Sequence, residues 1–262
     1  MTVRSTLGDV SKNRLSSVAN AARVLKAFST RHPTWGVSEL ANHLDISTST
    51  VHRLLSTLAD EGVLDQDVEN GRYRLGLSEF DMAASMPKHR TLHEAVLVSM
   101  TELRSRTGET VQVGVLDGRE VVYVERLDSP NTLRVFTEVG RRNRAHRTST
   151  GKLLIAHLSA RRRQRLLHGW VLEKRTPYTI TDLVTLREEL TAIRSRGYAE
   201  NRQESELGIV SVAAPIRDSA GQVVAALSLA GPSERMDENR PTYIDAVMVL
   251  ARTVSLQMGW PG

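Results

Sequence analysis

The sequence predicts an α+β fold in two domains, a small helical domain closed by a hairpin and a larger domain built on a sheet. Three observations support this prediction. The chain has 262 residues, about the length of two average domains. Residues 17–76 read as helix, helix, turn, helix and hairpin, whereas later residues alternate strand-like runs with amphipathic helices. Between the two patterns, Pro87 interrupts a short helical stretch.

Composition narrows the classes of protein that fit. The net charge of +5 is compatible with a nucleic-acid partner, although many other proteins are equally basic. The absence of cysteine excludes disulfides, thiol nucleophiles and thiolate metal sites. The first residues lack the apolar core of a secretory signal, and the longest apolar runs are too short to cross a bilayer. We therefore expect a cytoplasmic protein with no membrane partner.

The first domain starts after a polar, basic stretch at residues 1–15, for which we expect a flexible arm. Apolar residues at helical spacing between Val18 and Phe28 predict an amphipathic helix over residues 17–29. A break at “HPTWG” follows, and the next helix lies in “VSELANHL”. Its predicted N-cap is Ser38, because a serine hydroxyl can accept a hydrogen bond from a free N–H at a helix start.

A tight turn leads to the third helix. Asp45 lies in this turn, and aspartate is among the few residues that tolerate a left-handed conformation. Ser47 or Thr48 is the predicted cap of the helix, which Gly62 ends. Asn-Gly between two short alternating runs, in “VLDQDVENGRYRLG”, then predicts a β-hairpin.

This order of elements is typical of a winged helix-turn-helix DNA-binding domain, here over residues 16–76. In a helix-turn-helix, the N-terminal residues of the second helix enter the major groove. Arg53 can pair there with guanine or phosphate, while Arg72 and Arg74 would lie on the wing near the DNA. The predicted DNA-binding residues are Arg23, Ser38, Ser47, Thr48, Ser49, Thr50, His52, Arg53, Arg72 and Arg74. The alternative is a generic three-helix bundle whose Ser/Thr cluster is only a helix cap.

The second domain follows a predicted linker helix at residues 77–90 and covers residues 91–260. Its first helix ends at Gly108, and three strand-like runs come next, “TVQVGVLD”, “EVVYVERLD” and “TLRVFTEVG”. Further helices are predicted in “TSTGKLLIAHL”, “SARRRQRLL” and “DLVTLREELTAIRSRG”. Two more strands, “GIVSVAAPIRD” and “GQVVAALSLAG”, and a C-terminal helix complete the domain. We expect a mostly antiparallel sheet flanked by helices.

The quoted segments resemble a known family. “SELANHLDISTSTVHRLLSTLADEGVLDQD” and “GRYRLG” look like the winged-helix domain of the IclR (isocitrate lyase regulator) family of bacterial transcription factors. “AHRTSTGKLLIAHL” and “RGYAENRQESELGIVSVAAPIRDSAGQVVAALSLAGP” resemble two segments of the family's C-terminal domain. The resemblance covers nearly all of residues 15–258. It implies a GAF-like, profilin-type effector domain, and a homodimer or homotetramer that acts as a repressor on a pseudo-palindromic operator in double-stranded DNA.

A candidate binding site for a small organic acid lies at the start of a helix in the second domain. Ser149, Thr150 and Gly151 are small residues that let backbone N–H groups approach a carboxylate closely. The alternative is an ordinary cap on a core helix. The resemblance implies that this segment forms one wall of the effector pocket.

Further residues complete the expected pocket. The resemblance implies that polar strand positions face the ligand, and we expect an apolar wall that would suit a larger or aromatic acid. The predicted effector-binding residues are Leu133, Val135, Ser149, Thr150, Gly151, Asn201, Glu204, Ser211 and Ser228. For Glu204, a structural role and a ligand role are equally open.

Three positions depart from the family pattern. Asn201 stands where an acidic residue is common, Ser211 where cysteine is usual, and Ala230 where serine is frequent. These changes alter the polarity and hydrogen bonding of the pocket, so ligand identity does not carry over from any relative.

Two other functions remain open from the sequence. A hydrolase-like enzyme is one, since His146 lies near Ser149, but no Gly-x-Ser-x-Gly elbow is present. The histidines show no metal-binding spacing and “STGK” lacks the glycines of a phosphate loop, so we expect no catalytic residue, metal or cofactor. The other is a DNA-binding protein without a ligand, against which the size of the second domain argues. “RRRQR” at residues 161–165 is either a second phosphate patch or a solvated basic face.

Overall fold

The computed structural model describes residues 15–29, 32–84, 87–135 and 139–262. Its internal contacts divide the chain into two units, Met1–Pro87 and Lys88–Gly262, which are described in turn. The predicted flexible arm, residues 1–15, lies outside the described residues apart from Leu15.

Helices and a three-stranded sheet form the first unit. In chain order its elements are α1 (Ser16–Ala27), β1 (Thr34–Trp35), α2 (Val37–Leu44), α3 (Thr48–Asp60), β2 (Leu64–Gln66), β3 (Tyr73–Leu75) and α4 (Ser78–Ala84). The predicted order of helix, helix, turn, helix and hairpin is confirmed.

One hydrophobic core holds these elements together. Leu40 of α2 and Val51 and Leu55 of α3 are fully buried, so the predicted apolar face of α3 is confirmed. On α1 the core takes Val24, whereas Val18 is 62% exposed. The apolar pattern predicted a buried face that starts at Val18, but the core reaches only the second half of α1.

The turn between α2 and α3 has the predicted geometry. Asp45 has φ 53° and ψ 54°, which is the left-handed conformation expected of it. The Ser47 hydroxyl accepts a hydrogen bond from the Thr50 N–H at 3.3 Å and caps α3. At the other end of that helix, Gly62 adopts a positive φ of 70° directly after the last turn. Local sequence signals therefore determine where α3 begins and ends.

The prediction for the start of α2 was wrong. This helix begins at Val37 with Gly36 as its cap, so Ser38 lies within the first turn rather than before it. The Glu39 carboxylate accepts the Gly36 N–H at 3.4 Å. A carboxylate in the first turn, and not the Ser38 hydroxyl, therefore accepts a hydrogen bond from a backbone N–H at the start of this helix.

The predicted hairpin is present and is part of a larger sheet. β2 and β3 pair antiparallel with Leu64 opposite Leu75, and residues 67–72 form a loop longer than a two-residue Asn-Gly turn. β1 adds to the free edge of β3, with Trp35 opposite Tyr73. The sequence analysis treated β1 as a break, because two residues are too few to show an alternating pattern.

A six-stranded sheet with helices on both faces forms the second unit. In chain order its elements are α5 (Pro87–Thr107), β4 (Thr110–Asp117), β5 (Glu120–Leu127), β6 (Arg142–Arg144), α6 (Ser149–His157), α7 (Ala160–Leu167), α8 (Leu183–Arg196), β7 (Ala199–Arg202), β8 (Ile209–Arg217), β9 (Val223–Pro232), α9 (Ser233–Glu238) and α10 (Arg240–Gln257). A 3₁₀ turn, Ala145–Arg147, precedes α6. The strand order is β6-β5-β4-β9-β8-β7 and all neighbours are antiparallel, which confirms the predicted sheet.

The two faces of this sheet differ in polarity. Successive residues of a strand point to opposite faces. Val111 and Val113 of β4 pack in the core formed with α5 and α10, and Gln112 between them points to the face that carries α6 and α8. Ser228 of β9 lies in the same way between two core leucines. Polar side chains from several strands therefore gather on one face.

The predicted linker, residues 77–90, contains parts of two helices. α4 ends at Ala84, and α5 begins at Pro87. The prediction that the connecting helix stops near Pro87 is confirmed, and Pro87 is itself the first residue of the next helix. Proline is favourable at the first position of a helix because the N–H that it lacks would have had no partner there.

One edge strand differs from the prediction. Residues 132–135, the part of “TLRVFTEVG” described up to the gap at 136–138, form no strand, and β6 takes the edge position. The Leu133 carbonyl accepts a hydrogen bond from Arg235 at 3.0 Å. Arginine side chains thus donate hydrogen bonds to backbone carbonyls of this run, bonds that a neighbouring strand would otherwise supply.

The opposite edge and the C-terminal helix also differ. β7 was absent from the predicted strands, and it pairs with β8 so that Asn201 stands opposite Ser211. The single C-terminal helix of the prediction is divided into α9 and α10 at Asn239, with Pro241 in the first turn of α10.

Candidate functional site

The start of α3 is an exposed polar surface of the first unit. Thr48, Ser49, His52 and Arg53 are all exposed, and residues three and four apart lie on one face of a helix. Within the described part of the chain, nothing accepts a hydrogen bond from the Arg53 guanidinium. This surface therefore presents hydroxyl, imidazole and guanidinium donors, which suit phosphate oxygens and the edges of bases.

The remaining hydroxyls of the Ser/Thr cluster stabilise the helix start. Ser47 Oγ lies 2.7 Å from Thr50 Oγ1 and 3.3 Å from Ser49 Oγ. Since Ser47 also caps α3, its oxygen is engaged within the chain. Ser47 and Thr50 thus shape the surface that their neighbours present.

Two of the arginines predicted to bind DNA hold the first unit together. Arg72 donates to the Thr34 hydroxyl at 3.0 Å, to the Thr34 carbonyl at 3.1 Å and to the Glu39 carboxylate at 2.8 Å. This hydrogen bond lowers the pKa of Glu39. Arg23 donates to the Leu44 carbonyl at the end of α2. Both guanidiniums connect separate elements around the helix-turn-helix.

The last two predicted residues of this surface are exposed. Arg74 on β3 lies 3.7 Å from the Asp65 carboxylate, a distance at which two exposed side chains interact weakly. Ser38 is exposed in the first turn of α2. Arg74 is therefore the wing residue whose charge is most accessible.

A cavity of about 120 Å³ lies on the polar face of the second unit's sheet. Its floor consists of strand side chains, and its walls come from the segment before α6 and from loops. The surrounding residues are Gln112, Tyr123, Val135, Arg141, Asn143, Arg147, Thr148, Arg175, Asn201, Ser205, Glu206, Ile209, Ser211, Ser228 and Ala230. The predicted effector residues among them are Val135, Asn201, Ser211 and Ser228.

The floor of the cavity is polar and uncharged because of the strand register. Gln112 stands opposite Ser228, and Asn201 stands opposite Ser211. All four side chains are buried. The Asn201 side-chain amide donates to the Ser205 hydroxyl at 2.9 Å, which fixes its orientation. The floor thus offers oriented amide and hydroxyl groups to a ligand.

The start of α6 contacts residues of the sheet without lining the cavity itself. Ser149 Oγ lies 2.7 Å from Ser211 Oγ, so the hydroxyl predicted to bind the effector bonds to a floor residue. Thr150 is buried and packs over Gly114 of β4. Neither Ser149 nor Thr150 lines the cavity.

Gly151 is required by packing. A Cβ atom at this position would lie 2.2 Å from the Ala145 carbonyl oxygen, so no other residue fits without moving α6. The Thr148 hydroxyl accepts the Gly151 N–H at 3.0 Å and caps the helix. Of this segment, Thr148 lines the cavity, and Gly151 does not.

Glu204 forms a buried ion pair beside the cavity. Its carboxylate lies 2.5 Å from Lys152 Nζ, which is also 3.5 Å from Glu189. Burial raises the pKa of Glu204, and the ammonium of Lys152 opposes this effect. The Glu204 N–H donates to the Asn201 side chain at 2.7 Å. The backbone of Glu204 therefore positions a floor residue, and the Glu204 side chain does not line the cavity.

Of the two residues predicted to form an apolar wall, Leu133 and Val135, only one lines the cavity. Val135 lines the cavity, whereas the Leu133 side chain is 68% exposed. Three arginines that the sequence analysis missed, Arg141, Arg147 and Arg175, contribute the wall instead. The run “RRNRAHR” was visible in the sequence, but a basic run is usually a solvated face, and only the fold turns it towards a cavity.

The part of the chain that the structure describes shows neither a metal-binding cluster nor a membrane-spanning helix. No three histidine or carboxylate side chains there gather as a metal site would require. No helix there has the length and apolar character needed to span a membrane.

Two family models match the chain. The IclR helix-turn-helix domain matches residues 17–68, and the C-terminal domain of the bacterial transcriptional regulator IclR matches residues 84–256. The chain belongs to the IclR family of bacterial transcriptional regulators. The resemblance inferred from the sequence is confirmed, and with it DNA as a partner. IclR proteins are DNA-binding regulators rather than enzymes, so the hydrolase alternative is set aside.

IclR-family relatives match over almost the whole chain. The HTH-type transcriptional regulator KdgR of Escherichia coli (strain K12) is 33% identical over 253 residues, which cover 96% of each chain. The transcriptional repressor IclR of the same organism is 29% identical, covering 94% of this chain and 91% of the repressor. A crystal structure of an IclR homolog from Microbacterium hydrocarbonoxydans, complexed with 4-hydroxybenzoate, has a TM-score of 0.82 and 27% identity. It covers 92% of this chain and 98% of the homolog.

Proposed function

We propose that the protein is a repressor whose binding to a pseudo-palindromic operator is controlled by a small organic acid in the cavity of the second unit. The observation that carries this proposal is the cavity itself, with its oriented polar floor and arginine wall. Guanidinium groups match the charge and geometry of carboxylates. Relatives named as repressors, and a homolog complexed with the aromatic acid 4-hydroxybenzoate, support it.

The first unit supplies the DNA contacts in this proposal. Thr48, Ser49, His52 and Arg53 at the start of α3 enter the major groove, and Arg74 approaches the backbone from the wing. The other predicted residues, Arg23, Ser38, Ser47, Thr50 and Arg72, hold or flank this surface. A homodimer or homotetramer presents two such surfaces to the two halves of the operator in the cytoplasm.

The acid acts by binding the DNA-competent and DNA-incompetent states with different affinity. A ligand with equal affinity for both states would bind without regulating. Residues 77–90 join the two units and are therefore the segment through which the coupling passes.

The test combines two assays on the full chain. A thermal-shift screen against small organic acids, aromatic ones included, identifies acids that stabilise the folded protein by mass action. Each acid that raises the melting temperature is then added to a gel-shift titration of the protein with the DNA that lies upstream of its own gene. The proposal expects at least one acid to change operator affinity. If the protein binds the DNA and no acid alters the affinity, it is a ligand-independent regulator. If it does not bind this DNA specifically, the proposed operator in that region is refuted.

A further inference from the structure

The wall of the cavity carries more positive charge than one carboxylate can neutralise. Among the described residues, Arg141, Arg147 and Arg175 line it together with one carboxylate, Glu206. The guanidiniums therefore outnumber the carboxylate along this wall. The floor adds no charge, since its amides and hydroxyls are neutral.

Two of these guanidiniums have no hydrogen-bond acceptor among the residues whose structure is described. Arg147 is half-buried and Arg175 is exposed, and neither takes part in an ion pair within the described ranges. Glu173, whose charge acts on Arg147, lies 3.0 Å from Arg144 and is engaged there. Burial, and next the charge of Arg175, lower the pKa of Arg147.

Such a pair is unfavourable in the free protein. Two like charges that face each other, one of them partly desolvated, destabilise the folded state unless an anion binds between them. Several other arginines of the second unit have carboxylate partners, for example Arg235 with Glu109 at 2.5 Å. Arg147 and Arg175 have no such partner within the described ranges.

We propose that the effector is a dianion, a dicarboxylic acid, whose two carboxylates pair with Arg147 and Arg175. This inference rests on the proposed function and specifies the class of acid. A monocarboxylate can pair with one of these two guanidiniums, whereas a dicarboxylate can pair with both. The cavity volume of about 120 Å³ favours a short acid.

The experiment is isothermal titration of the full-length protein with matched pairs of acids. Malonate, succinate and glutarate are each compared with the monocarboxylate of equal carbon number, propanoate, butanoate and pentanoate. Benzoate is compared with phthalate and terephthalate. We expect at least one dicarboxylate to bind about tenfold or more tightly than its partner, the ratio that one additional charged hydrogen bond produces.

Two variants link this preference to the wall. Arg147→Gln and Arg175→Gln should each reduce the preference for the dicarboxylate about tenfold while leaving binding of the monocarboxylate nearly unchanged. Arg162→Gln is the matched control, because this exposed arginine on α7 does not line the cavity. Without acid, Arg147→Gln should keep or raise the melting temperature, since it removes an unpaired charge. A fall of several degrees would instead show that Arg147 holds the fold, and would overturn its role.

Three results would contradict the proposal in distinguishable ways. Equal affinity for the members of each pair would overturn the dianion and leave the acid-responsive regulator intact. Inorganic phosphate binding as tightly as any dicarboxylate would show a general anion site. If no acid of either class binds, the dianion is refuted, and the proposed function loses its ligand as well.

Discussion

Arg53 differs from the other arginines around the helix-turn-helix because its guanidinium is not engaged within the described chain. Arg53→Ala should weaken operator binding by roughly 1–3 kcal/mol, the cost of losing a contact to a base edge. Fluorescence anisotropy with labelled operator at fixed salt measures this directly. Arg187→Ala, at an exposed arginine on α8, is the control and should bind as tightly as the unaltered protein. Equal affinity for all three proteins would exclude a DNA contact by Arg53.

One buried and one half-buried histidine make stability depend on pH. The buried His146 donates its Nε2–H to the Glu173 carbonyl 3.1 Å away, and the half-buried His157 donates its Nδ1–H to the Leu153 carbonyl 2.9 Å away. Burial lowers the pKa of both imidazoles below 6.5. The unfolded chain therefore binds protons that the folded chain does not, and this favours unfolding as pH falls.

The free energy of unfolding should consequently decrease as the pH falls from about 6.5 towards the lowered pKa values of the folded state. Urea denaturation at about pH 7.5 and about pH 5.5 measures the decrease. His157→Gln, which cannot titrate, should show a smaller difference between the two conditions. A variant with the same difference would show that His157 does not contribute.

Glu204 shows what a residue pattern leaves undecided. The sequence left a ligand role and a structural role equally open. The 2.5 Å contact with Lys152 engages the carboxylate within the chain, whereas the hydrogen bond to Asn201 comes from the backbone N–H of Glu204. Lys152 comes 52 residues earlier in the chain, and only the fold brings the two together.

At the scale of elements, α6 depends on its glycine. The Cβ of Gly151→Ala would lie 2.2 Å from the Ala145 carbonyl oxygen, inside contact distance with backbone that cannot rotate away. We expect this substitution to lower the free energy of unfolding by about 3 kcal/mol, measured in urea. Gly36→Ala is the control, because its nearest neighbour would be 3.7 Å away. If Gly151→Ala lowered the free energy of unfolding no more than Gly36→Ala does, α6 would be able to shift and accept the added methyl group.

The elements that the sequence predicted well have strong local causes. α3 has a serine cap at Ser47 and a glycine at Gly62, and both act within a few residues of the helix. β1 and β7 were missed because strands of two and four residues are too short to show a period, and β1 in addition pairs with the distant strand β3. The arginine wall was missed for a related reason, since the direction of a basic run depends on the strands around it.

At the scale of the whole molecule, regulation requires that the two ligands affect each other equally. If an acid weakens operator binding by some factor, the operator must weaken acid binding by the same factor. Titrating the acid against the protein alone and against the protein saturated with operator should give that factor. A control DNA of scrambled sequence should leave acid affinity unchanged. Unequal factors would show that the acid interferes with DNA without acting through the protein.

The position of Glu206 has a practical consequence. This residue is exposed and yet lines the cavity, so a group attached there touches both bulk water and the bound molecule. Because the chain contains no cysteine, Glu206→Cys would supply one unique thiol for an environment-sensitive dye. The labelled protein would act as an optical biosensor, with a colour or intensity change that reports occupancy in real time.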